Sequence, residues 1–238
     1  MCKRDRSWTN THVLDDATGW PQWSPDGRRI AFDRGSATVM RADGRHKRVV
    51  SKQLWMPGWS PSGRVLIGAG DSAPSPKLVR VGLDGRGLRQ IELPNALSSS
   101  APRWSPDGRW IVYGESSSEA PGSWQSVIRP DGTGHRRLDI GREAVWSPDS
   151  RRIAYSYGPN VYSIRPDGSG RRLLVHGAED TSVQGLAWSP DGRRIVLVRQ
   201  CCGTHDYSTV TTIPSGGGRE RVRFRRSYFI GTIDWQPR

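Results

Sequence analysis

The chain has 238 residues, is rich in Gly (28), Pro (17) and Trp (11), and carries a formal charge of +13 from 36 basic against 23 acidic residues. That composition suits many short strands joined by tight turns and is poor material for helices. No stretch of about 18 apolar residues occurs, which excludes a membrane-spanning helix; three cysteines (Cys2, Cys201, Cys202) without a CxxC pair exclude a disulfide framework and a thiolate zinc site.

The N-terminal stretch MCKRDRSWTN is basic with no apolar core behind it, so it does not read as a signal peptide. Beyond it a single unit recurs. Its copies are QWSPDGRRIAFDR from Gln22, GWSPSGRVLIGAG from Gly58, RWSPDGRWIVYGE from Arg103, VWSPDSRRIAYSY from Val145 and AWSPDGRRIVLVR from Ala187, with DWQPR from Asp234 as a sixth. The marker tryptophans are Trp23, Trp59, Trp104, Trp146, Trp188 and Trp235, spaced 36, 45, 42, 42 and 47 residues apart. That interval is the one expected of a four-stranded propeller blade.

Within each copy the Trp closes a first strand, A. Ser-Pro-Asp-Gly then supplies a turn in which Pro presets φ and Gly accepts the exit angle. An apolar strand B comes next, then a variable loop, strand C, and a second Asp-Gly turn into strand D. Those second turns are Asp43-Gly44, Asp84-Gly85, Asp131-Gly132 and Asp167-Gly168, with Gly216 to Gly218 as a degenerate fifth. Every connection is a hairpin, so each blade is an antiparallel meander. A blade cannot cover both of its own faces, and the repeated Trp is expected to pack one blade on the next rather than form a ligand-stacking array.

The WSPDGRRIAF-type segment followed by an Asp-Gly turn resembles the propeller repeat of the TolB family, and similar repeats occur in propeller domains of prolyl-oligopeptidase-type enzymes. The resemblance covers nearly the whole chain, with Ser62 in place of Asp in the second copy and Ser150 in place of Gly in the fourth. The expectation is therefore a single all-β domain over residues 1–238: a six-bladed propeller of four-stranded antiparallel blades. Its closing blade is incomplete, taking strand A from the C-terminus at Trp235 and strand D from Thr9 to Leu14 near the N-terminus. Met1 then reads as an internal methionine of a longer protein, and the compartment stays open, although the resembling family is largely periplasmic or extracytoplasmic.

Propeller geometry puts the short A–B and C–D turns on one face and the variable B–C and D–A loops on the other. Variable loops on a rigid scaffold are where binding usually lives. The candidate binding residues are accordingly Trp20, Trp55, Asp71, Glu115, Glu179, Asp180, Cys201, Cys202, His205 and Asp206. Adjacent Cys201 and Cys202 are poorly placed to share a metal, so no metal or other cofactor is expected. No GxSxG, HExxH, GxxxxGK[ST] or dinucleotide fingerprint is present, and the five histidines are scattered. The sequence thus predicts a monomeric, non-catalytic scaffold for a protein, peptide or cell-envelope partner, with a cell-wall or carbohydrate ligand as a further possibility. The alternatives are an accessory propeller of a longer hydrolase or sensor and a metal-dependent polysaccharide lyase. The arginines are spread evenly along the repeats, which favours solvated strand positions over nucleic-acid binding.

Overall fold

The computed structural model describes residues 2–4, 11–13, 19–70, 77–93, 98–116, 122–201, 207–226, 230 and 233–235. Within them all regular structure is β. Strands β1 (Cys2–Arg4) and β2 (Thr11–Val13) pair only with each other. Blade one holds β3 (Gly19–Trp23), β4 (Arg29–Asp33), β5 (Ala37–Arg41) and β6 (Arg48–Ser51). Blade two holds β7 (Trp55–Trp59), β8 (Val65–Ala69), β9 (Lys77–Gly82) and β10 (Arg89–Glu92). Blade three holds β11 (Ser98–Trp104), β12 (Ile111–Ser116), β13 (Trp124–Ile128) and β14 (Arg136–Ile140). Blade four holds β15 (Arg142–Trp146), β16 (Ile153–Tyr157), β17 (Asn160–Ile164) and β18 (Arg172–Val175). Blade five holds β19 (Thr181–Trp188), β20 (Arg194–Cys201), β21 (Ser208–Pro214) and β22 (Arg221–Arg226). Each is an antiparallel meander in sequence order, and the first strand of each blade lies against the first strand of the next.

Each blade is held by turn chemistry that the repeat spells out. In the first turn Ser24, Ser105, Ser147 and Ser189 donate Oγ–H to the Asp two residues on, at 2.6 Å in every copy. The same Oγ accepts the N–H five residues on, from Arg29, Trp110, Arg152 and Arg194, at 2.9 Å. The second turns use Asp alone: Asp43, Asp84, Asp131 and Asp167 each accept the N–H two residues further on. Gly27, Gly63, Gly108 and Gly192 take the positive φ that closes the first turn, and Ser150 adopts φ 60° in the copy lacking Gly.

Strand B is buried on both sides with period two. Leu66, Ile111, Ile153 and Ile195 face the preceding blade, and Ala31, Ile67, Val112 and Ala154 face the next one. The marker Trp lies in the same interfaces. Trp59 packs with Ala31, Val39 and Val50 of blade one, Trp104 with Ile67 and Leu78 of blade two, and Trp146 with Val112 and Val127 of blade three. Two indoles also bond across: Nε1 of Trp59 donates to the carbonyl of Gln22 at 3.0 Å, and Nε1 of Trp146 to that of Arg103 at 3.1 Å.

The expected six blades are corrected to five four-stranded blades. The sixth marker is present, but among the described residues it builds no blade. Ile230, Ile233 and Trp235 instead pack on Ala187, Val196, Val198 and Val210 of blade five, the face that a next blade would cover. Asp234 then reaches blade one, its Oδ2 accepting the N–H of Trp23 at 2.8 Å. The predicted N-terminal strand D overlaps β2, which pairs antiparallel with β1 just before it in the chain.

Candidate functional site

The inner strands do not run straight to the tryptophans. Register breaks lie between Gly19 and Gln22, Trp55 and Gly58, Ser100 and Arg103, and Arg142 and Val145. At these bulges Met56, Ala101 and Glu143 adopt positive φ (53°, 45° and 53°), a conformation that costs a non-glycine residue about 1–2 kcal/mol. Neighbouring blades hold two of them in place. The N–H of Met56 donates to Asp33 Oδ2 at 2.9 Å, and the N–H of Ala101 to the Met56 sulfur at 3.3 Å.

Past the bulges comes the residue before each marker Trp; Val145 and Ala187 pack in the apolar clusters flanking their blades, whereas Gln22, Arg103 and Asp234 do not. Here the repeats diverge: Gln22, Gly58, Arg103, Val145, Ala187 and Asp234. Gly58 must be small, since a Cβ there would sit 2.4 Å from the Pro102 carbonyl oxygen. Gln22, Arg103 and Asp234 line a cavity of about 310 Å3 whose walls are Trp23, Trp59, Trp104 and Trp235 and whose rim is Pro25, Pro61, Pro106 and Ser105. The prolines belong to the first turns, so the cavity opens on the A–B turn face.

The charged side chains in its lining are Arg103 and Asp234, and the field of Glu143, itself outside the lining, also reaches Arg103; all three are half-buried. Burial pulls the Arg103 guanidinium below its usual range, against the opposing fields of Asp234 and Glu143. Burial pushes Glu143 up to about 7, opposed by Arg103 and Arg142. Burial likewise pushes Asp234 up to about 6, opposed by the Trp23 N–H, Arg103 and the Trp235 N–H. Displaced carboxylates beside a cation in a concave site are the usual mark of a binding or reacting centre. Among the described residues no group of three His, Cys, Asp or Glu side chains is arranged to hold a metal ion.

The residues picked from sequence fare differently. Glu115 is a buried member of β12 (3% exposed) rather than a loop group. It accepts from Tyr113 Oη (2.9 Å) and Arg137 Nε (3.0 Å) and lies 3.2 Å from His135 Nε2. Burial tends to raise its carboxyl, but the bonds from Arg137 and Tyr113 and the field of His135 hold it below its ordinary value. This is an internal network of blade three. Trp55 is half-buried at the start of β7, and Glu179 is exposed. Asp180 and Cys201 are brought together, Sγ to Oδ2 at 3.6 Å. Asp71, Cys202, His205, Asp206 and the side chain of Trp20 lie outside the described residues. Trp59, Trp104, Trp146 and Trp188 lie in the clusters between blades, Trp23 packs on Ile30, Phe32 and Met40 of its own blade, and four of the six marker tryptophans wall the cavity. Sequence reasoning passed over Arg103, Glu143 and Asp234. For two of them the signal was the one variable letter before each otherwise constant Trp.

No protein-family model matches the chain. Among solved structures it is similar to TolB of Acinetobacter baumannii, with 16% identity and a TM-score of 0.75, covering 100% of this chain and 62% of that one. The chain thus spans less than two thirds of that protein. It is also similar to a TolB candidate from Agrobacterium tumefaciens (20% identity, TM-score 0.77, 91% of this chain and 84% of that one). A third is an oligogalacturonate lyase solved in complex with manganese (14% identity, TM-score 0.67, 95% and 72%). These likenesses establish a TolB-like β-propeller fold.

Proposed function

We propose that this chain is a non-catalytic binding scaffold that holds a protein or peptide partner, with the cavity at the A–B end of the channel as its principal contact. One observation carries the reading: blades one to three and the Trp235 segment bring indole and proline rings around a half-buried Arg103, at the inner-strand position where the repeats diverge most in chemistry. Rigid aromatic walls with a few convergent polar groups are the ordinary make-up of a recognition site. The B–C and D–A loops are a second contact surface, favoured by their variability in sequence.

The test is selection of displayed peptides on the immobilised chain, with affinities then measured for three proteins: wild type, Arg103→Gln, and an exchange of loop residues 200–207. Binding weakened about tenfold or more by Arg103→Gln and indifferent to the loop exchange supports the channel. The opposite pattern moves the partner to the loop face. Failure to select any peptide, or turnover of an oligogalacturonate with added Mn2+, would overturn the scaffold reading.

A further inference from the structure

Arg103 reaches the channel from the inner strand of blade three, and its surroundings are lopsided. Among the described residues it is the one cation lining the cavity, and the rest of that lining is largely indole and proline ring. Among the described residues its guanidinium makes a single hydrogen bond, from Nη1 to the Pro102 carbonyl at 3.3 Å, and no ion pair within 4.0 Å. Its planar fork of donors is matched to a carboxylate, which it can take through two parallel bonds.

We propose that the channel cavity is a carboxylate site, in which Arg103 takes the anionic group and the rings of Trp59, Trp104 and Trp235 hold the flat or apolar body that bears it. This rests on the binding reading above and narrows it to a chemical class, whether the carboxylate belongs to a peptide or to a free small acid. The neighbouring charges are Glu143 and Asp234, with Arg142 acting on Glu143 from the side. Ionised, the two carboxylates compete with a ligand for Arg103. Protonated, they leave it unopposed. A bound carboxylate therefore favours their protonated forms, and by linkage binding takes up protons and tightens as pH falls from 8 to 5.5.

Titration calorimetry with phenylacetate and its neutral isostere phenylacetamide tests this. Phenylacetate is expected to bind several-fold more tightly at pH 5.5 than at pH 8, with net proton uptake when buffers of different ionisation enthalpy are compared. Arg103→Gln should weaken it about tenfold or more at pH 5.5, while Arg103→Lys retains part of the affinity and circular dichroism reports both variants folded. Glu143→Gln should match wild type at pH 5.5 and bind more tightly at pH 8. Equal binding of acid and amide, or no change in Arg103→Gln, overturns the proposal. A selected peptide that binds regardless of Arg103 and of its own carboxylates sinks the carboxylate site and leaves the scaffold. Phenylacetate binding as expected with no peptide captured does the reverse.

Discussion

Ser105 does as much for its turn as the Pro, Asp and Gly around it. It is fully buried and makes one bond to Asp107 and another to the N–H of Trp110. Ser105→Ala leaves that N–H unmatched and should cost about 1–3 kcal/mol in urea unfolding. The pH dependence of stability carries two opposed signs. Asp26, Asp149, Asp43, Asp131 and Asp167 are held below their ordinary value, chiefly by hydrogen bonds from turn serines and backbone N–H groups. Their contribution is present above about pH 4 and is lost as pH falls through the depressed folded values. Glu143 and Asp234 are raised, so the folded chain binds protons that the unfolded chain has released, and stability falls as pH rises from about 4 toward 7. Glu143→Gln should flatten that decline, gaining about 1–2 kcal/mol at pH 8 and little at pH 5, as read from thermal midpoints across pH. The turn aspartates were legible in sequence because an Asp-Gly turn is decided within a few residues. The displaced carboxylates were not, because burial of Glu143 depends on a bulge and on a blade 40 residues away.

At the scale of the element, the strands, their alternation and the role of the tryptophans could be read from the repeat, since a period of two and a recurring Trp are local statements. The bulges could not, because Met56, Ala101 and Glu143 are unlike residues in the same conformation. Ser150 shows how a lost glycine is accommodated. It keeps the positive φ and its Oγ accepts the N–H of Asp107 from the neighbouring turn at 3.0 Å. Ser150→Ala loses that bond and keeps the strain, whereas Ser150→Gly loses the bond and relieves the strain. Chemical denaturation should find the Ala variant about 1 kcal/mol less stable than the Gly variant. Between blades, Trp59 is 8% exposed and donates to Gln22 in addition to its packing. Trp59→Ala is expected to cost about 3–5 kcal/mol, and Trp59→Phe a fraction of that.

For the whole molecule, counting tryptophans gave six blades where the described residues form five, because the sixth Trp covers the open face of blade five without building a sheet of its own among those residues. The Trp235 segment lies against blade five and reaches Trp23 of blade one, so it both spans the two ends of the blade series and supplies a wall of the cavity. That double duty is invisible in a repeat alignment, which records the Trp but not its neighbours in space. The proposed binding site is the cavity, with Trp59 and Trp104 in its wall and Trp55 outside its lining. The sharpest check is a two-dimensional spectrum of the chain labelled with 15N-tryptophan, in which the 11 indole N–H signals are tracked as a selected peptide is added. The indoles of Trp59, Trp104 and Trp235 should shift together and fail to shift in Arg103→Gln; movement of Trp20 and Trp55 alone, with the channel indoles still, would contradict it.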